Sequence, residues 1–181
     1  MLRKILYQNQ EEIKKDVANL LLEAFPEEER PPLDKFFKSL LVKENQLFAY
    51  FDHDNFIGFS YITLIKDVCY LFFLAVAPAF RKQGFGGQIL DDIKKTYQDY
   101  VILIAFEEVD KKYPNYLERV KRREFYLRHG FINNDLKTEE FGVVYETAYI
   151  GSHKVSFETY KEVFLLGFGQ ECEPFVKEKA H

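Results

Sequence analysis

Val76-Ala77-Pro78-Ala79-Phe80-Arg81-Lys82-Gln83-Gly84-Phe85-Gly86-Gly87 joins an apolar run to a helical pattern. Residues 68–77 before it read as a strand. After it, Ile89, Leu90, Ile93 and Tyr97 mark one face of a helix over residues 84–97. A helix that opens at such a junction presents unpaired backbone N–H groups and the positive end of its dipole. Gly84, Gly86 and Gly87 have no Cβ, so a phosphate can approach the backbone, and Arg81 and Lys82 add positive charge at the same place. The stretch therefore reads as an anion-binding loop. Two familiar phosphate loops fail on specific residues. The run G-x-x-x-x-G-K-[ST] is absent. Gly84-Phe85-Gly86 begins a dinucleotide fingerprint, but Ile89 stands where its third small residue belongs.

Working outward, residues 2–8 read as a strand. The spacing of Ile13, Val17, Leu20, Leu21 and Ala24 predicts a helix over 10–25, ended by Pro26. Leu33, Phe36, Phe37, Leu40 and Leu41 repeat that spacing after the break at Pro31-Pro32. Runs at 46–52, 56–65 and 68–77 predict an antiparallel meander, with turns at Asp52-His53-Asp54-Asn55 and Lys66-Asp67. The continuous apolar run 100–106 predicts a strand buried on both faces. It should lie parallel to 68–77, because a helix separates the two. Residues 115–129 predict a third long helix, with Leu117, Val120, Glu124 and Leu127 along one stripe and Gly130 just past its end. A strand over 142–150 and a helix over 157–167, capped by Ser156, complete the series. The expectation is an α/β fold: a mixed sheet of six to seven strands with helices on both sides. It forms one domain over 1–181, with a core of about 2–150 and a C-terminal extension of 151–181.

Composition narrows the function. The 181 residues suffice for a full core, and 17% aromatic content (19 Phe, 12 Tyr) means that large rings fill it. A net charge of −4 argues against a general nucleic-acid binder. Cys69 and Cys172 suggest neither a disulfide framework nor a zinc site, and the histidines at 53, 129, 153 and 181 show no metal-ligand spacing. The first residues lack a signal-peptide pattern, and no apolar run approaches the ~20 residues that span a bilayer. A cytoplasmic protein without a metal is expected.

The pattern R-x-x-G-x-G over 81–86, with Val76-Ala77-Pro78 before it and Phe125-Tyr126-Leu127-Arg128-His129-Gly130-Phe131 downstream, resembles the GNAT family of N-acetyltransferases. The likeness runs from residue 2 to residue 150. The stretches 24–31 and 118–126 resemble a bacterial-type branch of that family. The resemblance implies acetyl-CoA as co-substrate, its pyrophosphate on Arg81, Lys82, Gln83, Gly84, Phe85, Gly86 and Gly87. It also implies that the backbone of Leu74, Ala75 and Val76 binds the thioester oxygen, and that this strand splays from its neighbour to admit pantetheine. Tyr126 matches the tyrosine that the family places near the CoA sulfur. The first two helices and their connection would wall the acceptor, which makes Phe25, Glu28 and Tyr70 the substrate candidates. In that connection, Glu27, Glu28 and Glu29 either attract a cationic amine or form a solvated acidic turn. Arg122, four residues from Tyr126 and on its face, meets a phosphate or carboxylate or joins a surface ion-pair stripe.

The implied reaction is direct acetyl transfer to a primary amine in a ternary complex. The acceptor is a small molecule or a peptide amine (a protein N-terminus or lysine); a non-catalytic CoA-binding domain is the remaining reading. No nucleic acid or membrane is expected, and the chain is a monomer or homodimer. An amine of pKa roughly 10.4 lies about 3.4 units from neutrality, so freeing its lone pair at pH 7 costs roughly 4.6 kcal/mol, and a general base or an acidic pocket is expected to help. The family's glutamate falls here on Tyr70, which is not a base. Glu107 and Glu108, at the end of the buried strand, are the substitutes. Alternation lets only one of them face the site, and Glu107 is favoured.

Overall fold

Three hairpin-linked runs give the sheet its first half. The computed structural model describes residues 2–180, except the side chain of Glu28. β2 (Asn45–Asp52), β3 (Asn55–Ile65) and β4 (Val68–Val76) form the expected meander. His53 and Lys66, with φ of 54° and 52°, take the left-handed turn positions that two-residue loops require. β1 (Arg3–Leu6) pairs antiparallel with β2. The second half contains β5 (Val101–Glu107), β6 (Ile132–Glu140), β7 (Val143–Ile150) and β8 (Val176–Lys179). All belong to one sheet in the order β1-β2-β3-β4-β5-β7-β6-β8, and only the β4–β5 pair is parallel.

The sheet has eight strands rather than six to seven. β8 is a four-residue edge strand, Val-Lys-Glu-Lys, of which only Val176 is buried. It is too short and too charged to announce itself by period. β6 is largely polar, with Leu136 its one buried apolar side chain, and tertiary bonds help fix it: buried Asn134 exchanges hydrogen bonds with the backbone of Val155.

Helices cover both faces. α1 (Glu11–Ala24), α2 (Leu33–Ser39) and α5 (Phe157–Phe168) lie on one. There Val17, Leu21 and Phe36 pack on Phe59 and Phe73, and Val163 and Phe164 on Tyr70 and Leu103. α3 (Phe85–Thr96) and α4 (Tyr116–Arg128) lie on the other, where Ile89 and Ile93 meet Leu71, Ile102 and Phe106. Ser156 caps α5 as expected, accepting from the Thr159 N–H.

α4 departs from its expected stripe. Leu117 and Leu127 are 64% and 42% exposed, and the buried residue on this helix is Arg119. The helix turns Arg119, Arg122, Phe125 and Tyr126 toward the sheet because a buried carboxylate, Glu107, waits there. Ion pairing outweighs the apolar period at this position.

Candidate active site

β4 and β5 pair only at Val68–Val101, Cys69–Ile102 and Tyr70–Leu103. Beyond Tyr70 the ladder stops, while β4 stays on β3 to Val76 and β5 stays on β7 to Glu107. The cause is a bulge in β4. Tyr61 opposes Phe73 and Ile62 opposes Leu71, which leaves Phe72 as the extra residue that bends the strand. A slot through the sheet results, with a cavity of about 200 Å³. Leu74, Phe106, Phe125 and Tyr126 line it from the α3–α4 side, and Tyr70, Phe73 and Phe168 from the other.

The edge of the slot carries free donors. The Ala77 N–H donates to Ile57 O at 2.8 Å, so alternation along β4 turns the N–H groups of Leu74 and Val76 into the gap. The first helical bond of α3 runs from the Gln88 N–H to Gly84 O. Helix geometry therefore leaves the N–H groups of Phe85, Gly86 and Gly87 without helical acceptors. Gly84 caps the helix at φ +84°, and a Cβ there would project into open space. The other two glycines have a different reason to be small. A Cβ on Gly86 would lie 3.2 Å from Phe125 Cζ, and one on Gly87 would lie 2.7 Å from His129 Nε2. They seat α3 against α4, and Gly84 alone opens the backbone outward. Arg81 turns back from the loop: Nε donates to Val76 O at 2.9 Å and the guanidinium pairs with Glu23 at 2.6 Å. Gln83 Nε2 donates to Ala79 O, and Lys82 is exposed at φ +62°. This donor set fits a pyrophosphate at the helix and an extended amide chain along β4.

At the far end of the slot, Tyr126 stacks on Phe106, and burial holds its phenol above the ordinary value while Arg122 opposes the shift. Glu107 is 2% exposed and has both oxygens occupied. One meets Arg119 at 2.8 Å and Asn115 at 3.3 Å; the other meets Arg122. Glu108 faces away, held by Lys137 at 3.0 Å and Lys112 at 3.3 Å, and these bonds lower its pKa.

Two carboxyls that the sequence did not single out line the cavity instead. Glu29 lies in the short turn Glu27–Glu29 between α1 and α2. Desolvation first, then the charge and hydrogen bond of Glu107, raise it to about 7, with Arg122 and Arg119 opposing. Glu140, at the end of β6, is also raised to about 7 by burial, although Tyr160 and Thr138 donate to it. Tyr70 lines the slot and its hydroxyl lies 3.1 Å from that of Tyr160, so it connects through Tyr160 to Glu140. Phe25 also lines the cavity, whereas Glu28 has a side chain outside the described residues. Within the run of three glutamates the sequence pointed to Glu28 rather than Glu29, and Glu140 ends a largely polar strand.

The acetyltransferase (GNAT) domain family matches residues 43–133. Solved structures share the fold. A chain from Bacteroides thetaiotaomicron assigned to the GNAT acetyltransferase family is 22% identical, with a TM-score of 0.75 over 92% of this chain and 98% of that one. A Bacillus subtilis acetyltransferase in complex with CoA is 16% identical, with a TM-score of 0.64 over 84% and 99%. An aminoglycoside 6'-N-acetyltransferase from Enterococcus faecium is 15% identical, with a TM-score of 0.63 over 83% and 96%. No curated protein matches the sequence.

Proposed function

Because the chain belongs to the GNAT acetyltransferase family, we propose that it moves an acetyl group from acetyl-CoA to a primary amine held in the slot between β4 and β5. The observation that carries this reading is the slot, which has backbone donors along one edge and a near-neutral carboxyl at its end. The whole chain would act as one catalytic domain. Its free cysteines, Cys69 and Cys172, support a reducing, cytoplasmic setting.

Bound acetyl-CoA supplies an activated carbonyl and a thiol leaving group. The N–H groups of Phe85, Gly86 and Gly87, with Lys82 beside them, would hold its pyrophosphate. The N–H groups of Leu74 and Val76 would hold the chain along β4, and one donates to the carbonyl oxygen as that oxygen becomes negative. Glu29 takes a proton from the acceptor ammonium and frees the lone pair that forms the new C–N bond. Tyr126 gives its phenolic proton to sulfur as the C–S bond breaks. The nitrogen sheds a second proton on becoming an amide, which restores the phenol, and one proton leaves to solvent from Glu29.

Magnitudes favour Glu29 over an ordinary carboxylate. Transfer from an amine of pKa about 10.4 to a carboxylate near 4.5 is uphill by roughly 8 kcal/mol, and to one near 7 by roughly 4.6 kcal/mol. Glu107 takes a different part from the one the sequence suggested. With both oxygens bound, it anchors Arg119 and Arg122 and keeps Glu29 near neutrality. Glu108, lowered by two lysines, is left out of the proton path.

The test is Glu29→Gln assayed with acetyl-CoA and an accepted amine. A loss of ~10²–10⁴ in kcat, with the KM for acetyl-CoA retained and the pH inflection near 7 gone, is expected. An unchanged rate and pH profile would remove Glu29 from the mechanism.

A further inference from the structure

Beside the slot lies a second chamber of about 260 Å³ on the α1–α2–α5 face. Glu29, Glu140, Tyr145 and Phe168 line both chambers and so mark their common border. The outer wall comes from Pro31 and Pro32 after α1, Phe141 in the β6–β7 turn, and Phe164, Phe168 and Cys172. The last three belong to the extension after residue 150, outside the matched stretch 43–133.

We propose that this chamber selects the acceptor, and that the acceptor is a small primary monoamine with an apolar, ring-sized or branched body. Its ammonium sits between Glu29 and Glu140, and its body rests on Phe141, Phe164 and Phe168. The assignment depends on the acetyl-transfer reading of the slot.

Five observations support it. Glu29 and Glu140 come to the shared border from different elements, the α1–α2 turn and the end of β6. Burial disfavours the charged form of each, and a cation placed between them relieves that cost for both. The rings of Tyr145 and Phe168 beside them suit an organic cation, which is attracted to aromatic faces. The volume of about 260 Å³ lies at the small end of ligand pockets, which typically span ~300–1,000 Å³, and this favours a small body. Finally, two basic groups at the rim are engaged elsewhere. Lys35 pairs with Glu171 at 3.0 Å, and Arg30 Nε donates to Phe25 O at 3.0 Å. A sugar-like acceptor would leave its hydroxyls poorly matched against phenylalanine and proline.

The experiment reads CoA release as free thiol. It sets arylalkyl and branched-alkyl monoamines against an aminosugar, a linear diamine and a short peptide with a free N-terminus. The full chain is used, and acetyl-CoA binding is followed separately by thermal shift. The monoamines are expected to exceed the other classes at least tenfold in kcat/KM. Glu140→Gln should raise their KM about tenfold while keeping the acetyl-CoA thermal shift, and Phe168→Ala should shrink the preference for apolar bodies about tenfold. If acetyl-CoA gives neither a shift nor thiol with any amine, the reading of the slot fails and this inference fails with it. If acetyl-CoA binds but an aminosugar, diamine or peptide is preferred, or no monoamine reacts, the acceptor class is overturned while the slot reading stands.

Discussion

Glu140 is a carboxyl that the fold keeps short of solvent, with Tyr160 and Thr138 as its donors. Its pKa is raised from near 4.5 to about 7, so the native state favours the protonated form. Stability from this group is complete below the ordinary value and is lost as pH rises through 7. Glu140→Gln removes that titration. Between pH 4.5 and 8 the wild type is expected to lose up to ~3 kcal/mol relative to the variant, measured by urea unfolding at each pH. Chemical logic in the sequence brought Tyr126 and Arg122 to the cavity, since residues four apart share a helical face. It named Glu29 only within a run of three glutamates, and it did not reach Glu140. What distinguishes them is burial and, for Glu29, the charge and hydrogen bond of Glu107, which lies far away along the chain.

Among the elements, β3 and β4 leave no room for a side chain at Gly58. A Cβ there would lie 2.1 Å from Ala75 O, so strand separation depends on this glycine. Gly58→Ala should destabilise the protein by roughly 1–3 kcal/mol, as overpacking does, and should disturb the β4 edge that carries Leu74 and Val76. Chemical denaturation measures the first effect, and the KM for acetyl-CoA the second. A milder change is Ser156→Ala, which removes the cap of α5 at a cost of about 1 kcal/mol. Every long apolar element was legible, because burial on one face imposes a period. The inner face of α4 was not: Leu117, Val120 and Leu127, with Glu124 between them, formed the cleaner stripe, yet ion pairs with Glu107 turned the helix the other way.

For the molecule as a whole, ligand binding and stability are linked. Acetyl-CoA at a hundredfold excess over its Kd should add ~2.7 kcal/mol, or very roughly 5–10 °C in Tm for a chain of this size. Lys82→Glu, which places a negative charge beside the α3 N-terminus, should shrink that shift, and a calorimetric scan reads both. The bulge at Phe72 has one more consequence, at the level of single amide protons. In β4, the protons of Phe73 and Ala75 are shared with β3, while those of Leu74 and Val76 face the gap. Deuterium should therefore enter this strand at every second residue, fast at 74 and 76 and slow at 73 and 75. The alternation should fade when acetyl-CoA occupies the slot, because the ligand then takes the place of the missing neighbouring strand.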